Sequence, residues 1–166
     1  MMRLQVMLRK TMGWAVLGAA LVATTGCGPK YVKDTRIEYT DEKQALADVV
    51  ERYRVAMEQR DVEALRALAS RDYYENGSTT TDPGDDYGYE GLERVFSDIK
   101  NNVKEIRYDI EIKAIDVLGD AATVDYEFTG QYLFTVGERD RWETVTDKNR
   151  LTLRQEEGAW RIVNGM

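Results

Sequence analysis

Glu105-Ile106-Arg107-Tyr108-Asp109-Ile110-Glu111-Ile112-Lys113 decides the architecture of this chain. Apolar Ile106, Tyr108, Ile110 and Ile112 alternate with charged Arg107, Asp109, Glu111 and Lys113, a period of two that predicts a strand with one buried and one wet face. After the Leu118-Gly119-Asp120 turn the alternation resumes. Val124, Tyr126, Phe128, Tyr132 and Phe134 share one face, while Thr123, Asp125, Glu127, Thr129 and Gln131 share the other. Gly130 interrupts the aromatic row and predicts a bend or bulge. Beyond Gly137-Glu138-Arg139-Asp140 a third strand is expected over Trp142 to Arg154 with Leu151 and Leu153 inward, and Glu156-Glu157-Gly158 turns into a last strand from Ala159 to Asn164.

Upstream of these strands the period changes to that of helices. Ala45, Leu46, Val49, Tyr53 and Met57 recur at three- and four-residue steps, so a helix capped by Asp41 and reaching Gln59 should turn one stripe to a core. Asp61 caps a second helix carrying Val62, Leu65 and Leu68 and ending near Ser70. Residues 75–90 are rich in turn formers and read as a loop, after which Leu92, Val95, Phe96 and Ile99 mark a third short helix. Asp82, Asp85 and Asp86 in that loop match no EF-hand spacing and are accounted for by turn chemistry, so no metal is expected there.

Composition removes whole classes of function. The chain has 166 residues, formal charge −7, no histidine and only one cysteine, Cys27. An intramolecular disulfide, a serine triad, a Cys–His dyad and a His-ligated zinc are all excluded, and any acid–base chemistry must use carboxylates, Tyr, Lys or Arg. No cofactor-binding motif is present, and an acidic chain without a basic run past its first ten residues is a poor partner for nucleic acid.

The N-terminus reads as an address. Arg3, Arg9 and Lys10 precede an uncharged stretch from Thr11 to Gly26 that holds Trp14, Val16, Leu17, Leu21 and Val22, the n- and h-regions of a secretory signal. Its end, Ala23-Thr24-Thr25-Gly26-Cys27, resembles the lipobox of bacterial lipoproteins. The resemblance implies cleavage before Cys27, a diacylglyceryl thioether on its sulfur and acylation of the new amino group. Residues 1–26 carry three positive charges and no acid, so the remaining 140 residues have formal charge −10. Two or more acyl chains hold a protein stably on a bilayer, which makes the membrane a partner through Cys27 and places the domain in the bacterial cell envelope. Gly28 in place of Asp favours the outer over the inner membrane by the enterobacterial rule. Gly28 to Thr40, polar and without a period, reads as the tether in a 27–40 segment ahead of a 41–166 domain.

Read together, the helix starting Asp61-Val62-Glu63-Ala64-Leu65, the exit Asp72-Tyr73-Tyr74, the segment Gly91-Leu92-Glu93-Arg94-Val95-Phe96 and the closing Gly158-Ala159-Trp160-Arg161-Ile162-Val163 resemble the nuclear transport factor 2-like, or SnoaL-like, superfamily over residues 41–166. The resemblance implies an α+β fold in which a curved antiparallel sheet wraps three N-terminal helices as a cone with a cavity at its open end. That superfamily contains ketosteroid isomerases and polyketide cyclases as well as binding and scaffold domains. In the isomerases a catalytic Asp follows the second helix, where this chain has Asn76 or Gly77.

Two sets of side chains are candidates for chemistry. Tyr53, Tyr108, Tyr126, Tyr132, Trp142 and Trp160 combine apolar bodies with a hydroxyl or indole N–H and suit the wall of a pocket for an apolar ligand. Tyr73 and Tyr74 stand at its entrance and Asn149 on the third strand. Plain core packing accounts for the same aromatics. Asp147 shares parity with Asn149 and Leu151, and in an enzyme it would act with Tyr126 or Tyr53 as an acid–base pair. Binding of a small apolar ligand or a protein partner, a SnoaL-type reaction, and a structural homodimer through the polar outer sheet face are the three readings that follow.

Overall fold

A computed structural model describes residues 28–76 and 86–166. The elements are α1 (Asp41–Gln59), α2 (Val62–Leu68), β1 (Tyr74–Glu75), β2 (Tyr87–Gly88), α3 (Tyr89–Asn102), β3 (Val103–Leu118), β4 (Ala121–Val136), β5 (Arg139–Glu156) and β6 (Ala159–Asn164). Strands β3-β4-β5-β6 form one antiparallel sheet in sequence order, and β1 pairs with β2 in a separate two-stranded one. Among the described residues no helix is long and apolar enough to cross a membrane.

Helix starts follow local chemistry. Thr40, one residue ahead of the expected Asp41, caps α1: its hydroxyl accepts the Lys43 N–H at 3.1 Å, and Asp41 joins Glu42 in the first turn, where the helix dipole favours acid. Asp61 caps α2 as the sequence predicts, accepting the Ala64 N–H at 3.0 Å. Helix α3 begins at Tyr89, inside the stretch read as loop, because Tyr87-Gly88 first pairs with Tyr74-Glu75. The inner face of Gly91 then lies directly against the Tyr87 side chain.

The segment read as a tether is partly folded. Val32 N–H donates to Ile37 O and Tyr39 N–H to Lys30 O, closing a small turn that buries Val32 against the core. Val32 and Ile37 stand apart within a polar stretch and set no period, so this docking left no pattern to read.

In the sheet, direct cross-strand partners share a face. Tyr126 stands opposite Ile112 and Asn149, Phe128 opposite Ile110 and Asp147, and Tyr132 opposite Ile106 and Glu143. These residues form the inner face, toward α1. Arg107, Gln131 and Leu133 share the outer face with Trp142 and Thr144. The expected bulge at Gly130 is absent, since pairing runs unbroken through Tyr108, Gly130 and Val145. Gly130 serves another purpose, because a Cβ there would sit 2.6 Å from the Tyr132 hydroxyl, whose ring lies across it. On β3 the irregularities fall around Lys104 and Lys113. The second switches parity, so that odd-numbered Ile115, not an even residue, is buried.

The core joins α1 (Leu46, Val49, Val50, Tyr53) and α2 (Leu65, Leu68) to Val124, Leu151, Leu153 and Ile162 of the sheet. At its closed end Ser70 N–H donates to Ile162 O at 2.8 Å, while the buried Ser70 hydroxyl donates to Glu156, which also holds Arg154. Trp160 is 8% exposed on the last strand. Replacing Trp160 by Ala is expected to cost about 3–5 kcal/mol, the range for emptying a large buried aromatic site, read as a shift in urea midpoint. A loss below about 1 kcal/mol would show that the ring is not part of the core.

Candidate functional site

The inner sheet face carries a continuous aromatic row whose burial falls off toward the β4–β5 turn. At its deep end Tyr53 from α1 meets Tyr108 edge to face at 6.0 Å between ring centroids, and Tyr108 stacks on Phe128 at 5.3 Å. Tyr126 tilts against the same Phe128 at 6.1 Å. Tyr53, Tyr108 and Tyr126 are all buried. Further out, half-buried Ile110, Phe128, Tyr132 and Phe134 continue the wall, with Tyr132 and Phe134 stacked at 6.3 Å. The wall ends at an open concavity of about 540 Å³ lined by Phe134, Arg141, Glu143, Lys104, Asn101 and Asn102.

One atom at the deep end is left without a partner. The Tyr126 hydroxyl is fully buried and makes no hydrogen bond among the described residues. Its cross-strand partner Asn149 is committed elsewhere: its amide donates to Gly165 O at 3.1 Å and its oxygen accepts the Arg150 N–H at 2.7 Å. A buried hydroxyl without a bond costs about 1–3 kcal/mol, so its presence calls for an explanation. Burial pushes Tyr126 up to about 12. Burial raises Tyr53, Tyr108 and Tyr132 as well. The cluster is therefore neutral phenol across the physiological range, a set of donors with no carboxylate among them.

Other candidates fall outside this cluster. Asp147 occupies the inner face as its parity predicts, but it is exposed, and its carboxylate accepts the N–H of the next residue, Lys148, at 2.7 Å. The physical reason is that β4 and β5 run past the helices, so the outer half of the inner face has no lid among the described residues. A dry carboxylate paired with Tyr126 or Tyr53 is not formed here, and Asn149, not Asp147, faces Tyr126. Trp142 is a correction of another kind. Strict alternation puts it on the face opposite Asp147, where it is 40% exposed beneath the Arg107 guanidinium at 4.6 Å.

Tyr73 is buried but committed, donating to Glu75 at 2.7 Å and accepting the Met166 N–H at 3.0 Å. Tyr74 is exposed, with its hydroxyl on Asp86. Neither lines the aromatic wall. Asp82, Asp85 and Cys27 lie outside the described residues. Phe128, Phe134 and Ile110 belong to the wall without having been singled out, although their parity with Tyr126 and Tyr108 was the signal that identifies them.

The model for the SnoaL-like domain matches residues 46–165. The chain belongs to the SnoaL-like domain family. Its fold is the α+β nuclear transport factor 2-like one, three helices followed by a curved antiparallel sheet. Solved structures share it at low identity. A conserved protein from Planctomyces limnophilus superposes with a TM-score of 0.63 at 17% identity, over 75% of this chain and 92% of that one. A ketosteroid isomerase-like protein from Erwinia carotovora atroseptica gives 0.63 at 18%, over 76% and 95%. A nuclear transport factor 2-like superfamily protein from Salmonella enterica serovar Typhimurium gives 0.61 at 16%, over 74% and 87%. No curated protein matches the chain. At these identities the likeness extends to the fold and not to the chemistry of the SnoaL-like site.

The raised tyrosines fix how this SnoaL-like domain responds to alkali. A phenol whose folded value exceeds its unfolded value, near 10, keeps its full stabilising contribution below pH 10 and loses it as pH rises through the folded value, about 12 for Tyr126. The melting temperature is therefore expected to be flat from neutral pH to about pH 10 and to fall steeply above it, with the buried tyrosinates appearing only as the fold is lost. Early titration of every tyrosine in a folded domain would contradict the burial of the cluster.

Proposed function

We propose that this SnoaL-like domain is a ligand-binding module held on the bacterial cell envelope by lipid on Cys27, and that its ligand is a small apolar molecule carrying one hydrogen-bond acceptor. The observation that supports the site is the Tyr126 hydroxyl, buried and unpartnered at the inner end of a half-buried aromatic wall. An apolar body lying along Phe128, Tyr132 and Phe134 exchanges water for aromatic surface, and an acceptor at its inner end takes the free O–H. The isomerase-like alternative asks for a sequestered carboxylate, and exposed Asp147 does not supply one. The Gly26-Cys27 junction after an apolar stretch supports lipidation, with Gly28 favouring the outer membrane.

Two isosteric probes, 2-acetylnaphthalene and 2-ethylnaphthalene, differ by one carbonyl oxygen. The ketone is expected to bind about five- to tenfold tighter, the value of a single buried hydrogen bond of about 1 kcal/mol. Tyr126→Phe should erase that preference and, by removing an unsatisfied hydroxyl, leave the free domain as stable or up to about 1 kcal/mol more stable. Equal affinities for the two probes, or a Tyr126→Phe domain destabilised as if a hydrogen bond had been broken, would overturn the assignment. Anchoring is tested separately: Cys27→Ser should abolish incorporation of labelled palmitate, and continued incorporation would refute the lipid attachment.

A further inference from the structure

The sheet has two edges, and side chains from the α1 region reach the backbone of one of them. At the β3 edge, Glu58 accepts the Tyr108 N–H at 3.1 Å, and Arg54 and Arg60 donate to Tyr108 O and Val103 O. At the other edge β6 pairs with β5 only from Thr152 to Glu156. Arg139 to Arg150 are exposed without exception, with no strand on the side away from β4 among the described residues. Gln155 N–H donates to Asp120 O on the β4 side, so odd-numbered residues of β5 face β4 and even-numbered ones turn their N–H and C=O outward. Accordingly the outward N–H groups of Lys148 and Arg150 are taken by the side chains of Asp147 and Asn149. Those of Asp140, Trp142, Thr144 and Thr146 have no partner among the described residues. A long, regular open edge of this kind is a template for another strand.

We propose that the occupant is a second copy of this chain, its β5 paired antiparallel to the first about a two-fold axis through Thr144. A two-fold axis normal to the sheet keeps each face on its own side, so paired residues must have equal parity. Greatest overlap of the open stretch then puts the axis at Thr144 or Val145. At Val145, Glu143 of each copy would oppose Asp147 of the other. An axis at Glu143 would set that carboxylate against itself. At Thr144, Asp140 opposes Lys148 of the second copy and Arg141 opposes Asp147 of the second copy, each twice by symmetry, and no like charges meet.

Thr144 then meets itself as a hydrogen-bonded pair, and Trp142 meets Thr146 of the second copy, which covers part of the exposed indole. Asp147 gives up the neighbouring Lys148 N–H and gains a guanidinium. The charges concerned are solvent-exposed in the single chain, so changing partners costs little. The interface is distinct from the outer sheet face and leaves Tyr126 untouched.

Sedimentation velocity of the full chain in detergent tests the pairing. Wild type is expected to dimerise reversibly. Thr144→Pro removes an outward N–H on the axis from both copies while sparing every bond to β4, and it should weaken the dimer by at least about tenfold with the melting curve unchanged. Arg141→Glu should weaken it by placing a like charge against Asp147, and adding Asp147→Arg should restore it. A chain that is monomeric at every concentration overturns the proposal, as does a dimer indifferent to Thr144→Pro in a folded domain. If Thr144→Pro lowers the melting temperature, the charge exchange decides: a double variant no tighter than Arg141→Glu alone is a contradiction.

Discussion

Glu58 and Arg54 of α1 grip the backbone of a single residue, Tyr108, and much of the site depends on that grip. Glu58 takes the outward N–H at 3.1 Å, Arg54 reaches the carbonyl at 3.3 Å, and the two side chains pair with each other at 2.8 Å. The sheet edge is thereby closed at Tyr108, and α1 is fixed across the inner face at one height. The Tyr108 ring, on the same residue, is held between Tyr53 of the helix and Phe128 of the neighbouring strand. Backbone satisfaction at the edge and aromatic packing inside are thus set by the same contact, which explains why a helix with so many charges packs so closely.

The architecture was readable because burial and period agree. Ile106 to Ile112 and Val124 to Phe134 alternate cleanly, and the register confirms both faces, as it confirms the inner-face parity of Asp147 and Asn149. What escaped reading depends on things that alternation does not encode. Lys113 is an ordinary polar residue in sequence, yet it marks the irregularity that turns Ile115 inward. Gly130 resembles a breaker, and in the fold it is room for a ring. Asp147 has the right parity but stands where no helix covers the strand, and parity says nothing about cover. Trp142 is the opposite case, since its even number already assigned it to the outer face, and only its aromatic character suggested otherwise.

Two features of the domain sacrifice stability and coincide with surfaces where function is proposed. The Tyr126 hydroxyl is buried without a bond, and the Arg139–Arg150 edge leaves backbone groups open. Elsewhere many polar groups are paired, although the buried Asp86 Oδ1 also lacks a bond among the described residues. The outer face is laced by Asp125–Arg150 and by Glu127 between Lys113 and Lys148, whose carboxylates are held below their ordinary values by those cations. The closed end is tied through Ser70, Glu156, Arg154 and Asp72. Against that background the Tyr126 hydroxyl and the open β5 edge are informative.

The most direct measurement is a crystal structure of the protein grown with 2-acetylnaphthalene. The ketone oxygen is expected within about 2.5–3.0 Å of the Tyr126 hydroxyl, the normal O–H···O range, with the rings along Phe128 and Tyr132. Clear density for Tyr126 bonded instead to Tyr53, Tyr108 or Asn149, with the probe absent or resting on the outer face, would contradict the reading of the aromatic wall as a binding site.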